Sequence, residues 1–452
     1  MHREKRERMR RRVSLSGGAN SVMPGKMIRK VSGGALLLCA LLGLAFSLWK
    51  GADTTIEPWS TVLVGQRPLG IAVDGRMSHA FVVNNLSGDV DVLDTRSGAK
   101  VRTFAIPLAS RSEWLQTVAV DTYSSRVFAI SSGPSVRSTT TAFATTATVL
   151  DTQRGRYVGA VSLPGLVKGI TIDERRNHDF VLTDAAFPPY RGRSNLRGAL
   201  CMLNATTGAL LRITAVGVMP IGIAVDRWAE RVLVIEQVSP SYPNGLVRVF
   251  DARTGGVIGT TTVGKRPLDI AVDERTGHAF VTASESATIA MLDTRRNRVV
   301  ASTKIGGQPV AVALDTQLGH VFVTNAWNNT VSMLDARNGR VLRTERVGTR
   351  PLVIDVDTRT HRVFVANQVS DTATVLDATT GATLYTVSVG LNPTAVAIDE
   401  AAGHAFILNI NADGPRPSNL PLIGRIQSLI GHFTSRTTGD SNGSVSILDA
   451  TR

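Results

Sequence analysis

Self-similarity constrains this chain more than any other feature. The heptapeptide P-x-x-I-A-V-D returns, intact or degenerate, eight times, closing on Asp74, Asp121, Asp173, Asp226, Asp273, Asp315, Asp357 and Asp399. Successive copies lie 47, 52, 53, 47, 42, 42 and 42 residues apart. A repeat of this length is one supersecondary unit, and it buries its apolar surface only by stacking against its neighbours.

Three β-rich runs recur in each copy: I-A-V-D, then HAFVVN (79–84) or HVFVTN (320–325), then VDVLD (90–94) or VSMLD (331–335). A fourth run, such as Val257–Gly264 or Leu384–Gly390, precedes the next anchor. The second runs are apolar at successive positions, as expected where both faces of a sheet are covered. Asp94-Thr-Arg-Ser-Gly98 and Asp335-Ala-Arg-Asn-Gly339 read as hairpin turns, with an Asp that accepts backbone N–H bonds and a Gly that tolerates positive φ. The anchor aspartates read the same way, as turn formers.

The run Thr61–Gly65 has no earlier repeat to belong to, and the chain ends at Arg452 just after the eighth third strand. Letting Thr61–Gly65 supply the missing outer strand closes a ring of eight four-stranded blades and leaves no open edge. The fold class is therefore all-β, a β-propeller over 60–452, with seven blades as the alternative count. Composition agrees: 43% of residues are apolar, only 5% are aromatic, and 41 are Gly.

The formal charge of +14 resembles a nucleic-acid signal until it is located. Residues 1–33 carry ten Lys or Arg against two Glu, so +8 of it sits there and +6 elsewhere. Residues 34–49, GALLLCALLGLAFSLW, are uncharged and follow this basic segment, with Trp49 and Lys50 at the far edge. The positive-inside bias makes 1–33 a cytoplasmic segment, 34–50 a transmembrane anchor, 51–59 a linker, and the propeller extracytoplasmic. A cleaved signal, giving a secreted or periplasmic domain, is the alternative, because the run is short for a span. Nucleic acid is disfavoured as a partner. Of the two cysteines, Cys39 lies in the apolar run and Cys201 in the repeats, so no disulfide staples the propeller.

Val363–Asn367 (VFVAN), Val331–Asp335 (VSMLD) and Val347-Gly348 resemble the YVTN-type repeat β-propeller family, with Phe in place of the family Tyr. The resemblance covers about 60–452 and implies the fold. It implies less about activity, since such propellers include binding proteins, surface-layer components and relatives of lactonases and quinoprotein subunits.

Insert lengths point to a working face. From anchor Asp to the end of the third strand is 20 residues in blades one, five, six and seven, but 30, 31, 25 and 50 in blades two, three, four and eight. The extra residues enter between second and third strands, at Ser131–Ala147, Asp184–Gly198, Glu236–Gly245 and Ile410–Gly443. These loops and the crossovers between blades emerge on one side, where function usually resides. The longest contains LPLIGRIQSLIGHF, whose apolar stripe predicts a short helix packing on the disc or over the channel, with a partner- or membrane-facing helix as the alternative.

The residues just before each anchor Pro belong to the same face and should ring the axial opening. They include Arg67, Arg266 and Arg350, with Gln308, Asn392, Trp114, Leu166 and Met219 at equivalent positions. Confined arginines favour an anionic small molecule or polymer, or a protein with a carboxylate to offer. Trp114 and Trp327 are the candidate exposed aromatics. His79, His178, His278, His320 and His404 share one repeat position that other blades fill with Arg126, Arg231 and Arg362, so they read as scaffold. The spacing supplies no metal set, and no cofactor is implied. Asp355, where six other blades carry Ala, and Asp269, two residues past Pro267, are the candidate catalytic carboxylates of an alternative, lactonase-like or redox-associated reading. A salt bridge with a neighbouring arginine is their structural expectation. The leading reading is a binding scaffold rather than an enzyme.

Overall fold

The computed structural model describes residues 58–108, 113–134, 143–184, 198–237, 244–411 and 442–451. The predicted segments at 1–33 and 34–50, most of the linker, the helix expected within LPLIGRIQSLIGHF and most of the inserted loops lie outside them.

Among the described residues, strands β1 to β32 form eight separate four-stranded sheets. In the first blade β2 (Pro68–Asp74), β3 (His79–Asn84), β4 (Asp89–Asp94) and β5 (Lys100–Ala105) pair in sequence order, all antiparallel. The last blade contains β30 (Leu391–Asp399), β31 (His404–Asn411) and β32 (Asn442–Asp449). Its outer place is taken by β1 (Ser60–Gln66), antiparallel to β32 with Ser60 opposite Ile447 and Leu63 opposite Ser444. The blade count is eight, and the seven-bladed alternative is excluded.

The innermost strands of the other blades are β6 (Trp114–Asp121), β10 (Leu166–Asp173), β14 (Pro220–Asp226), β18 (Pro267–Asp273), β22 (Pro309–Asp315) and β26 (Pro351–Asp357). Each touches the next, and β30 touches β2, so they circle one axis. Register defines two faces. Pro68 lies opposite Asn84 at one end of the blade and Asp74 opposite His79 at the other. The upper face has the second-to-third connections and the crossovers; the lower face has the anchor turns and the third-to-fourth turns.

The core lies between blades rather than within one. Second strands such as His79–Asn84 and Arg362–Asn367 are buried at five successive positions, because each face of the sheet meets a neighbouring blade. Among the described residues eight Phe side chains are fully buried, one per blade: Phe81, Phe128, Phe180, Phe280, Phe322, Phe364 and Phe406 on second strands and Phe250 on a third strand. Each removes enough apolar area from water to stabilise the fold by about 1.5–3 kcal/mol.

Polar residues lock neighbouring blades together on the lower face. The anchor aspartates form the predicted turns: Asp74 Oδ1 accepts from the amides of Arg76 and Met77, and Asp315 Oδ1 from those of Gln317 and Leu318. In three blades the second carboxylate oxygen reaches the next blade. It accepts from Thr294 Oγ1 at Asp226 (2.6 Å), from His361 Nδ1 at Asp315 (2.7 Å) and from Thr95 Oγ1 at Asp399, this last joining the first and eighth blades. The repeated histidines also latch the next blade, as His320 Nδ1 does to Ala378 O (2.8 Å) and His404 Nδ1 to Thr95 O (2.6 Å). Their shared position thus has a structural function.

A hydrogen bond to a buried carboxylate contributes about 1.5–3 kcal/mol. Thr95→Val is therefore expected to lower stability in urea by about 2 kcal/mol, while Thr379→Val, on an exposed turn, changes it by less than about 0.5 kcal/mol. Equal effects would show that the latch contributes nothing.

Candidate functional site

Arg67, Arg266 and Arg350 stand at the upper ends of β2, β18 and β26, immediately before the anchor Pro. All three are left-handed, with φ of 52°, 54° and 61°. Met219 and Asn392 share the conformation, while in the third and sixth blades the left-handed residue is one earlier, Gly165 and Gly307, ahead of Leu166 and Gln308. A turn amide fixes each backbone: Asn85 N–H donates to Arg67 O (3.0 Å), Ser284 N–H to Arg266 O (2.9 Å) and Gln368 N–H to Arg350 O (3.0 Å). Left-handed backbone costs a non-glycine residue roughly 1–2 kcal/mol. Arginine is thus held three times where glycine would be relaxed.

Burial holds the Arg67 guanidinium below its ordinary pKa. Arg266 Nη1 lies 3.6 Å from Glu285 Oε1. Gln308, at the equivalent position of the sixth blade, is buried. Its Oε1, Gln368 Oε1 and Thr394 Oγ1 have no hydrogen-bond partner among the described residues. Leu268, Val310 and Leu352 cluster with Ala326 at the same level. Trp114 opens β6 and is half-buried, whereas Trp327 is 70% exposed on the hairpin after Asn325. The upper mouth therefore combines guanidinium groups and an apolar patch, with the unsatisfied acceptors buried beneath it and Trp327 farther out.

Asp269 and Asp355 lie on β18 and β26, separated by β22, and both are half-buried. The expected arginine partners are not what holds them. Asp269 Oδ2 accepts from Val312 N–H (2.9 Å) and its Oδ1 from Ile270 N–H (2.8 Å); Asp355 Oδ1 accepts from Val356 N–H (2.9 Å). Innermost strands come close enough for backbone amides to satisfy a short carboxylate, and no guanidinium is needed. Burial raises Asp269 to about 6 against the pull of those two amides. Burial likewise raises Asp355 to about 7, Val356 N–H opposing and Glu400 and Asp357 adding to it. Both can exchange a proton near neutrality.

A cavity of about 790 Å³ opens on the lower face, walled by Ile172, Ile223, Val225 and Val272 and edged by Trp228 and Arg295. It includes neither Asp269 nor Asp355 and none of the upper arginines.

Asp179, second residue of β11 (His178–Asp184), went unremarked in the sequence. It is fully buried, and neither carboxyl oxygen has a hydrogen-bond partner among the described residues. Aligning the residue after each repeat histidine would have exposed it, since other blades have Ala80, Val127, Val232, Ala279, Val321, Val363 and Ala405 there. Burial, then the charges of Asp121, Glu174 and Asp173, push it up to about 8. Aligning the second residue after each anchor Asp would likewise have shown Tyr123 and Trp228, exposed on the lower rim.

No family model matches this chain. No curated protein matches it either. Among solved structures, Saccharomyces cerevisiae Sqt1 is similar with a TM-score of 0.60 at 7% identity, over 88% of this chain and 99% of that one. The Dos1 propeller gives 0.58 at 11% identity, over 78% and 92%. Kuenenia stuttgartiensis hydrazine synthase gives 0.51 at 14% identity, over 73% and 99%. At these identities the likeness is one of fold: the chain is an eight-bladed β-propeller.

Proposed function

We propose that this YVTN-type repeat propeller is a membrane-anchored scaffold held outside the cytoplasm, binding an anionic ligand or a protein partner through its upper face. The observation that carries the reading is where length varies. Between anchor and third strand, four blades keep 20 residues and four take 25 to 50, and every added residue enters on the face that carries Arg67, Arg266 and Arg350. A rigid ring that varies on one side only is built to present that side. The uncharged run at 34–49 behind a basic segment supports the anchor.

Ligand chemistry follows from the upper mouth. Guanidinium groups favour a carboxylate or phosphate. An acidic cell-wall fragment offers such a group.

The test is calorimetric titration of the full chain in detergent with anionic small molecules and cell-wall fragments, beside the variant Arg67→Ala/Arg266→Ala/Arg350→Ala. Alanine keeps the left-handed backbone cost, so a difference isolates the guanidinium groups. Binding is expected to weaken about 10- to 100-fold. Equal affinity, or no binding by the unaltered chain, would contradict the anion site. Retention in membranes washed with alkaline carbonate tests the anchor separately.

A further inference from the structure

The chain enters the disc from below. Ser60 pairs with Ile447 near the lower end of β32, and Gln66 with Asn442 at its upper end. β1 therefore begins at the lower face, where Trp59 precedes it. The apolar run ends at Trp49, and residues 50–59 extended reach at most about 36 Å. On the anchored reading proposed above, the tether between span and propeller is short.

That face has the makeup of a membrane interface. Among the described residues the exposed Trp and Tyr side chains are Trp59, Tyr123, Tyr157, Trp228 and Trp327, and Trp327 alone is on the upper face. Tyr123 (71% exposed) and Trp228 (64%) occupy the second position after the anchor Asp in blades two and four. The same position is arginine in blades one, three, five and seven, and each reaches its next neighbour. Arg76 Nη1 donates to Thr122 O (3.4 Å), Arg275 Nε to Thr316 O (2.9 Å) and Arg359 Nε to Glu400 O (2.6 Å), while Arg175 lies 4.0 Å from the Trp228 ring.

Beyond them, the third-to-fourth turns expose Arg96, Arg154, Arg253, Arg295 and Arg337, with no Asp or Glu at those tips. Arg154 pairs with Asp151 (3.1 Å) and Arg253 lies 4.0 Å from Glu230, whereas Asp94, Asp293 and Asp335 each turn Oδ1 to backbone amides of their own turn and leave Arg96, Arg295 and Arg337 exposed. Amphipathic rings settle at headgroup depth, and guanidinium groups near an anionic surface act within a Debye length of it.

We propose that the lower face docks on an anionic lipid bilayer, Tyr123 and Trp228 entering the headgroup layer and Arg96, Arg295 and Arg337 meeting lipid phosphates. The proposal rests on the anchored reading only for how the face is brought to the membrane; the rim residues carry the rest. It also leaves the upper face clear of the surface.

The test is hydrogen exchange of the full chain in lipid nanodiscs, comparing phosphatidylcholine alone with an equal mixture of phosphatidylcholine and phosphatidylglycerol. Turns 74–79, 121–126 and 226–231 are expected to exchange several-fold more slowly on the anionic lipid, and to recover in 0.5 M salt or in the variant Arg96→Glu/Arg295→Glu/Arg337→Glu. Those three side chains are exposed and form no ion pair among the described residues, so the variant should fold. Hairpin 325–330 should exchange alike throughout. Lower-face rates indifferent to lipid charge would overturn the proposal. If alkaline carbonate releases the chain, the same two lipids are compared by co-sedimentation with vesicles, so the docking surface is judged apart from the anchor.

Discussion

A chain lacking residues 1–66 is expected to lose its cooperative unfolding transition and to aggregate, whereas one lacking only residues 1–57 should unfold in urea at the same midpoint as the full chain. β1 is the outer strand of the last blade, and no other segment among the described residues pairs with that edge of β32. Its removal exposes the β32 edge and strips Val62 and Val64 from the cluster of Leu93, Phe406, Val445 and Ile447. Burial of Val64 alone is worth about 1.5–3 kcal/mol, and the freed edge is a template for intermolecular pairing. Size-exclusion chromatography and circular dichroism in urea read both effects. A monomeric 67–452 chain with an unchanged midpoint would show that closure contributes nothing.

Replacing Asp179 by Val should stabilise the protein by about 4 kcal/mol at pH 7 and by about 2 kcal/mol at pH 5. A carboxyl at about 8 when folded and about 3.8 when unfolded binds its proton more tightly in the native state. Its contribution to stability is therefore fully present below about pH 4 and is lost as pH rises toward 8, at about 1.4 kcal/mol per unit. Asp269, at about 6, and Asp355, at about 7, act in the same direction and stop at lower pH. Asp94, which the amide of Ser97 holds below the ordinary range, acts oppositely and only under strong acid. The variant should thus lose the fall in stability between pH 7 and 8 while keeping a shallower one below. Urea midpoints from pH 4 to 9 provide the measurement. An unchanged slope, or a variant less stable at pH 8, would show that Asp179 is not held protonated.

The architecture was legible because a propeller is written in periodic residues. Anchor aspartates, the His-to-Phe spacing and the Asp-to-Gly turns each recur at one point of a blade, so eight copies fix strand order, and the orphan run at Thr61–Gly65 fixes closure. The site was less legible, because it is assembled across blades. That Asp269 is held by an amide of β22 follows from how closely innermost strands approach, and no spacing encodes it. Arg67, Arg266 and Arg350 were visible as residues, but their left-handed backbone came only with the turn geometry. Asp179 and the lower rim carry no repeat signal. Both are departures at positions that are otherwise apolar or variable.

The account turns on which face is presented outward. With Cys39 replaced by Ser and Cys201 buried, a cysteine at Asn328 on an upper hairpin and one at Asn338 on a lower turn tip can be labelled with a membrane-impermeant maleimide on intact cells. The account predicts rapid labelling of Asn328→Cys, slow labelling of Asn338→Cys, and equal rates once the membrane is dissolved in detergent. Labelling of neither position until the cells are opened would place the propeller in the cytoplasm, and faster labelling of Asn338→Cys would turn the disc over; either result contradicts the account.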